Sequence, residues 1–341
     1  MKPIPVNSNI QSPQHQHGLT LVEVMIAITI SLILLAGVMQ IFTGSRQTYR
    51  VQDNMARLQE NGRFAMSFLS RDIRAGDYWG CFTGPAAFTN NLAAGAGFIA
   101  LNTAGGIAGT DNTGLNGSDT IILTMAAPAT GNITVVPPFM AAPNSPIQVS
   151  APNSLNLGDI VIIGDCDSAD MFQIQAGSPG TTGTIIHGAG VPVGGPPAPP
   201  AGPGNLTGLL ARRYTGTAGV IEVQTIAYLI QADAANNNEP SLFQSVNGGV
   251  PVVLVEGVEN MQILYGEDMP ALDVPVGTPD LAADRYVPAG TAGLVMANVV
   301  SVRINLVMRT QEDNLATTVN AGDRRLRRTF SSTISLRNRG A

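Results

Sequence analysis

The sequence predicts an α+β protein, with a long N-terminal α-helix packed on a mainly antiparallel β-sheet head with long loops. Three observations carry this. Residues 19–42 form an apolar run whose only charge is Glu23, and as a helix this run would rise roughly 36 Å, enough to cross a bilayer core. Beyond it, Val51, Met55, Leu58, Ala65, Phe68, Leu69 and Ile73 recur at helical spacings, the stripe of an amphipathic helix. After residue 118, short runs rich in β-branched residues alternate with stretches of Gly, Pro and Asn, the pattern of strands and loops.

Taken in order, residues 1–18 are a polar leader with Pro3, Pro5 and Pro13, a composition that predicts disorder. His15 and His17 fall in it and read as a solvated tail rather than a metal site. Residues 19–42 form the transmembrane helix. The run is too long for the apolar region of a secretory signal peptide, and no A-x-A-like cleavage site follows it. Residues 43–76 continue the helix, with Asp53 and Arg57 four apart on its exposed face. Gly44 and Gly62 are tolerable interruptions, and Gly76 is the expected stop. One rod from Leu19 to about Arg74 would be roughly 80 Å long. The alternative is a separate core helix after a break.

Residues 77–341 form the head. Residues 84–118 and 176–208 read as long loops, the second holding the proline-rich GGPPAPPAGPG at 194–204. Strand-like runs lie at 119–125, 159–165, 171–175, 220–230, 252–258, 261–266, 299–310 and 328–338. Val302, Ile304, Leu306 and Met308 alternate with Arg303, Asn305, Val307 and Arg309, as on a sheet with one wetter face. Phe64, Phe68 and Ile73 are the expected cover for its apolar face.

Charge and cysteine content narrow the function. The chain carries 18 basic and 24 acidic side chains, a net charge of −6, which argues against bulk attraction to nucleic acid or anionic lipid. Its one lysine is Lys2, so every cation past the leader is arginine. Two cysteines, Cys81 and Cys166, beyond a membrane helix suggest an oxidising compartment and one disulfide; the alternative is two unpaired buried thiols. Closing that loop would stabilise the fold by roughly 4–5 kcal/mol. Asp165, Asp167 and Asp170 flank Cys166 without EF-hand spacing and read as a polar turn, not a calcium site. Arg324, Arg325, Arg327 and Arg328 read as solvated arginines facing nearby acids rather than a DNA-binding patch. Past the leader, His187 is the one histidine. No nucleophile elbow, P-loop or dinucleotide fingerprint occurs, so no catalytic residue, cofactor or metal is expected.

Gly18, then Leu19–Thr20–Leu21–Val22–Glu23 and the oily run resemble the class III signal of type IV pilins and pseudopilins. Leu19 stands where phenylalanine is commoner. The resemblance implies cleavage after Gly18 by a prepilin peptidase and N-methylation of Leu19. The blocks QTYRVQDNMARLQENGRFAMSFLSRDIRAGDYWGC (47–81), GDCDSADMFQI (164–174), VEGVENMQILYGED (255–268) and VRINLVMRT (302–310) closely resemble the PilW family of type IV pilus minor pilins. Residues 18–81 match continuously and the later blocks as islands. The proline that marks an unwinding segment in major pilins is absent from the apolar helix.

What the resemblance implies is a non-catalytic assembly subunit. It would sit in the inner membrane with a periplasmic head, then enter the pilus at or near the tip. Its partners would be other minor pilins, the major pilin and a tip adhesin, with no nucleic acid. A minor pseudopilin of a type II secretion system shares the same N-terminal helix. Glu23 has a physical role of its own. A carboxylate inside a membrane segment costs several kcal/mol unless paired, and the free α-amine of a neighbouring mature chain is a natural partner. The plainer role is an acid favouring a helix N-terminus, worth roughly 0.3–1 kcal/mol.

Overall fold

The computed structural model describes residues 20–80, 88–93, 106–127, 132–165, 167–190, 203–269, 272, 277, 279–319 and 322–339. It divides into two units, Met1–Asp53 and Asn54–Ala341. Helix α1, Leu21–Ala75, is assigned without a break and contributes to both.

In the first unit α1 is apolar and bare. Its most hydrophobic 18-residue window has a mean hydropathy of 2.5 and is 0% buried. A soluble protein rarely leaves so much contiguous apolar surface in water, and the segment is long and apolar enough to cross a membrane.

In the second unit α1 buries Asn54, Leu58, Gly62, Ala65, Leu69, Asp72 and Ile73, one face at three- and four-residue spacing. The expected cover is corrected here. Ile73 is fully buried, but Phe64 is 49% exposed and stacks edge-on against half-buried Phe68, 4.5 Å away. Position 64 is one residue from the buried line, and 100° of rotation takes it off the face. Gly62 is no mere interruption. A β-carbon there would lie 2.3 Å from the Phe330 ring, so the missing side chain lets the sheet approach the helix.

The strands are β1 Phe88–Asn90, β2 Ile107–Thr110, β3 Thr120–Ala126, β4 Ile133–Thr134, β5 Ile147–Gln148, β6 Ile160–Gly164, β7 Ala169–Gln173 and β8 Ala176–Ser178, then, after the short helix α2 Pro179–Thr182, β9 Thr184–Ile186, β10 Gly219–Asp233, β11 Glu239–Val246, β12 Val252–Glu256, β13 Val258–Glu267, β14 Arg285–Val287, β15 Val299–Arg309 and β16 Arg327–Ser335. Among the described residues they form a nine-stranded sheet, with the path β1-β7-β6-β10-β11-β12 and β2, β3 and β4 alongside. A four-stranded sheet β14-β13-β15-β16 and a three-stranded sheet β5-β9-β8 complete the set. All pairs are antiparallel but β1 with β7.

The alternation in β15 is as expected. Val302, Ile304, Leu306 and Met308 are at most 1% exposed, whereas Arg303, Asn305, Val307 and Arg309 face outward. The run 252–258 is not one strand. Gly257 adopts φ +76°, and a β-carbon there would sit 2.8 Å from the Arg309 carbonyl oxygen. The chain turns at this glycine, which ends β12 and lets β13 begin in the other sheet. The two stretches read as loops are also corrected, since they contain β1, β2, β8, α2 and β9. Strand β11 lies outside the strand-like runs of the sequence. It follows a turn with Asn237 and Asn238 at φ 52° and 58° and precedes one with Asn247 and Gly248 at φ 51° and 70°, left-handed pairs that favour tight hairpins.

Two cores result. The main one joins Leu58, Ala65, Leu69 and Ile73 of α1 to β3, β10, β11, β12, β13, β15 and β16. The second lies among residues 133–220 and is built on Ile147, Val161, Phe172, Ile185 and Tyr214. Strand β10 belongs to both, pairing with β6 and β4 over its first residues and with β3 and β11 beyond.

Candidate assembly helix and its anchorage in the head

At the start of α1, Thr20 takes the N-cap place. Its Oγ1 accepts from the Glu23 backbone N–H at 3.3 Å, and its carbonyl accepts from Val24 at 3.2 Å. With Glu23 at the third helical position this is the sequence pattern of a capping box. Glu23 is the acid of the first turn, where the helix dipole favours negative charge. A shallow groove follows it along one face, past Ala27, Ile28, Ser31 and Leu35. Small residues one turn apart are where membrane helices approach closely. Gly18 and Leu19, and likewise Cys81 and Cys166, lie outside the described residues.

The other end of α1 is held by the end of the chain. Asn338 Nδ2 donates to the carbonyls of Gly76 (3.1 Å), Ala75 and Arg74 (3.4 Å each), the acceptors a helix terminus leaves unpaired. The helix ends as Asp77 turns to φ 62°. Its carboxylate accepts from Trp79 Nε1 (2.7 Å), Gly106 N (2.8 Å) and Arg339 Nε (2.6 Å). Arg339 also donates to the Val299 carbonyl at 2.9 Å.

Five residues before Asp77, Asp72 is 5% exposed. It receives the Tyr228 hydroxyl and, at 2.7 Å, Arg71 Nε, while Gln244 Nε2 donates to the Tyr228 oxygen at 2.8 Å. Burial first, and then Asp72, hold the Tyr228 phenol above its ordinary range. The chain of contacts ties α1 to β10 and β11.

The arginines near the C-terminus are not uniformly solvated. Arg325 forks onto Glu239 at 2.7 and 3.1 Å. Arg327 forks onto Glu259 at 2.7 and 2.9 Å and onto Asp323 at 2.7 and 3.0 Å. Arg309 joins Glu239 at 2.5 Å. These side chains are 13–19% exposed, so three cations and three anions neutralise one another where the two larger sheets meet. Arg327 holds the Asp323 carboxyl below its ordinary value. Arg324 and Arg328 are exposed.

The aspartates around residue 166 diverge. Asp165 pairs with Arg212, and Asp167 is exposed. Asp170 is fully buried and accepts from Tyr214 (2.6 Å), Asn91 (3.0 Å) and Ala211 N (3.0 Å). Burial raises its pKa, against these hydrogen bonds. Among the described residues no group of three or more His, Cys, Asp and Glu could hold a metal ion. His187 is 2% exposed in the second core, its Nε2 donating to the Ser145 carbonyl at 3.0 Å. Burial lowers its pKa. None of Asp72, Asp77 and Glu239 was singled out as a site residue in the sequence, because nothing local marks an acid that a distant strand will bury.

A bare apolar helix with an acid in its first turn, continuing as the core helix of an antiparallel head, is the build of a type IV pilin. The prokaryotic N-terminal methylation motif matches residues 13–39. The family described as type IV pilus-assembly protein W, PilW, matches residues 227–338, which run from within β10 through β16. Together the two matches support a type IV pilin of the PilW family. Domains of this kind are structural proteins. No curated protein and no solved structure matches the chain.

Proposed function

We propose that this pilin is a minor, non-catalytic subunit that primes type IV pilus assembly and stays at or near the tip. It is held in the inner membrane by residues 19–42 with its head in the periplasm. Prepilin peptidase cuts after Gly18, Leu19 becomes the methylated N-terminus, and the Glu23 carboxylate takes the α-amine of a neighbouring subunit as its partner. Other minor pilins, the major pilin and a tip adhesin are the assembly partners. The observation that carries the reading is the wholly unburied apolar window of α1 with one acid at its start. Such a surface needs like helices around it, and such an acid needs a cation. The match of the head to a pilus-assembly family supports a pilus rather than a secretion machine.

The test is Glu23→Ala in cells lacking the wild-type subunit. Losing a charge-assisted contact of about 1.5–3 kcal/mol should lower incorporation roughly 10–150-fold. Normal pili containing the variant would refute the role of Glu23. Mass spectrometry of the membrane form should find a methylated Leu19 at the N-terminus; an intact Met1 would contradict the processing.

A further inference from the structure

The second unit carries a groove of about 610 Å³ beside the end of α1, lined by Ser67, Ser70, Arg71, Arg74, Tyr78 and Arg337 among others. No acid lines it. Arg74 and Arg337 are exposed and make no ion pair with any described residue. This does not follow from a shortage of acids. Asp273 is the one acidic side chain outside the described residues, and the other 23 of the 24 are placed elsewhere. Arg71 rests on the Phe68 ring, 4.8 Å from its centroid, and is braced by Asp72 at 2.7 Å. Tyr78 is 47% exposed at the groove. Of the basic cluster evident in the sequence, Arg325 and Arg327 pair with Glu239, Glu259 and Asp323, whereas Arg74 and Arg337 are brought together only by folding.

We infer that this groove is a docking site for an acidic polypeptide segment of a neighbouring pilus subunit. Charge complementarity selects the occupant. Guanidinium forks receive carboxylates in pairs, and arginine and tyrosine are the residues that anchor protein interfaces. A long polyanion such as nucleic acid meets the net charge of −6 over the rest of the chain, which opposes it at long range; a short acidic stretch meets mainly the local field. A volume of this order holds a few side chains. The inference rests on the pilin reading only in naming the owner of the segment.

Full-length protein in detergent is titrated against fluorescein-labelled hexaglutamate at low salt, followed by anisotropy. The wild type should bind, and Arg74→Glu with Arg337→Glu should weaken binding roughly tenfold or more. Arg324→Glu with Arg328→Glu makes the same change in net charge and should leave binding intact. Arg74→Gln with Arg337→Gln avoids placing an acid at the helix C-terminus and should weaken binding by a smaller factor. No binding by the wild type, or equal loss in both glutamate variants, overturns the proposal. So does tighter binding of an oligothymidine through the same two arginines, which would make the groove a phosphate site. The assay needs no pili, so its failure leaves the role of Glu23 standing, and the converse holds.

Discussion

Single side chains decide how firmly the helix is held in the head. Asp72 is a carboxylate taken out of water and compensated by Tyr228 and Arg71. Tyr228→Phe keeps the ring and removes the donor, so Asp72 loses a partner inside the core. The expected loss is about 1–3 kcal/mol, read as a lower denaturant midpoint at unchanged slope; an unchanged midpoint would count against the contact. His187 sets a pH limit on the second core. Its folded pKa is lowered by burial, so the folded state binds fewer protons than the unfolded state once pH drops below the unfolded value of about 6.5. The stability it contributes is complete above that pH and is lost as acidification proceeds toward the folded pKa. Asp170, raised by burial, works in the opposite sense. The difference between wild type and His187→Gln isolates the histidine: the variant should lose less stability between neutral pH and pH ~5, and parallel curves would exclude the role. Neither residue could be assigned this way from the sequence, because burial is set by strands far along the chain.

At the scale of elements, the fit of α1 against β16 turns on Gly62 and Phe330. Gly62→Ala places a β-carbon within 2.3 Å of the ring, and relieving it should cost about 1–3 kcal/mol. In a Phe330→Ala background the same change should cost much less, so a double-mutant cycle should give a coupling of opposite sign to the single cost. Additive effects would place the contact elsewhere. The helix itself was legible in the sequence, because its apolar repeat is local and strong. The identity of the buried face was less so. A stripe containing both Phe68 and Leu69 leaves an ambiguity of about 100°, which the sheets resolve in favour of Leu58, Ala65, Leu69 and Ile73. Strand β11 was missed because Pro240, Ser241 and Gln244 break its apolar pattern. The paired left-handed residues at 237–238 and the Asn247–Gly248 step were the signals that could have found it.

Over the whole molecule the PilW match takes in only part of the core around α1: residues 227–338 supply the end of β10 and β11, β12, β13, β15 and β16, while β2 and β3 of the same core lie before them. Residues 133–220 build a second core outside the matched segment, joined to the first through β10. A bridge between Cys81, after α1 in the chain, and Cys166, between β6 and β7 in the chain, would link these segments covalently. Its reduction should lower stability by about 4–5 kcal/mol, measured as a drop in melting temperature with dithiothreitol that a Cys81→Ser, Cys166→Ser variant does not show. Two titratable thiols in the untreated, denatured protein would rule the bridge out.

The sequence by itself determined what is periodic or contiguous. It marked the oily span with its single acid, the amphipathic continuation, most long strands and the inward set on β15, because each is encoded within a few turns or residues of its own position. The tertiary structure alone decided which charges are spent and which remain. Arg325 and Arg327 lie among arginines in the chain but fold onto Glu239, Glu259 and Asp323, while Arg74 and Arg337, 263 positions apart, come to share one groove without an acid. Pairing of charges depends on distance in space, and neighbouring positions in the chain do not report it.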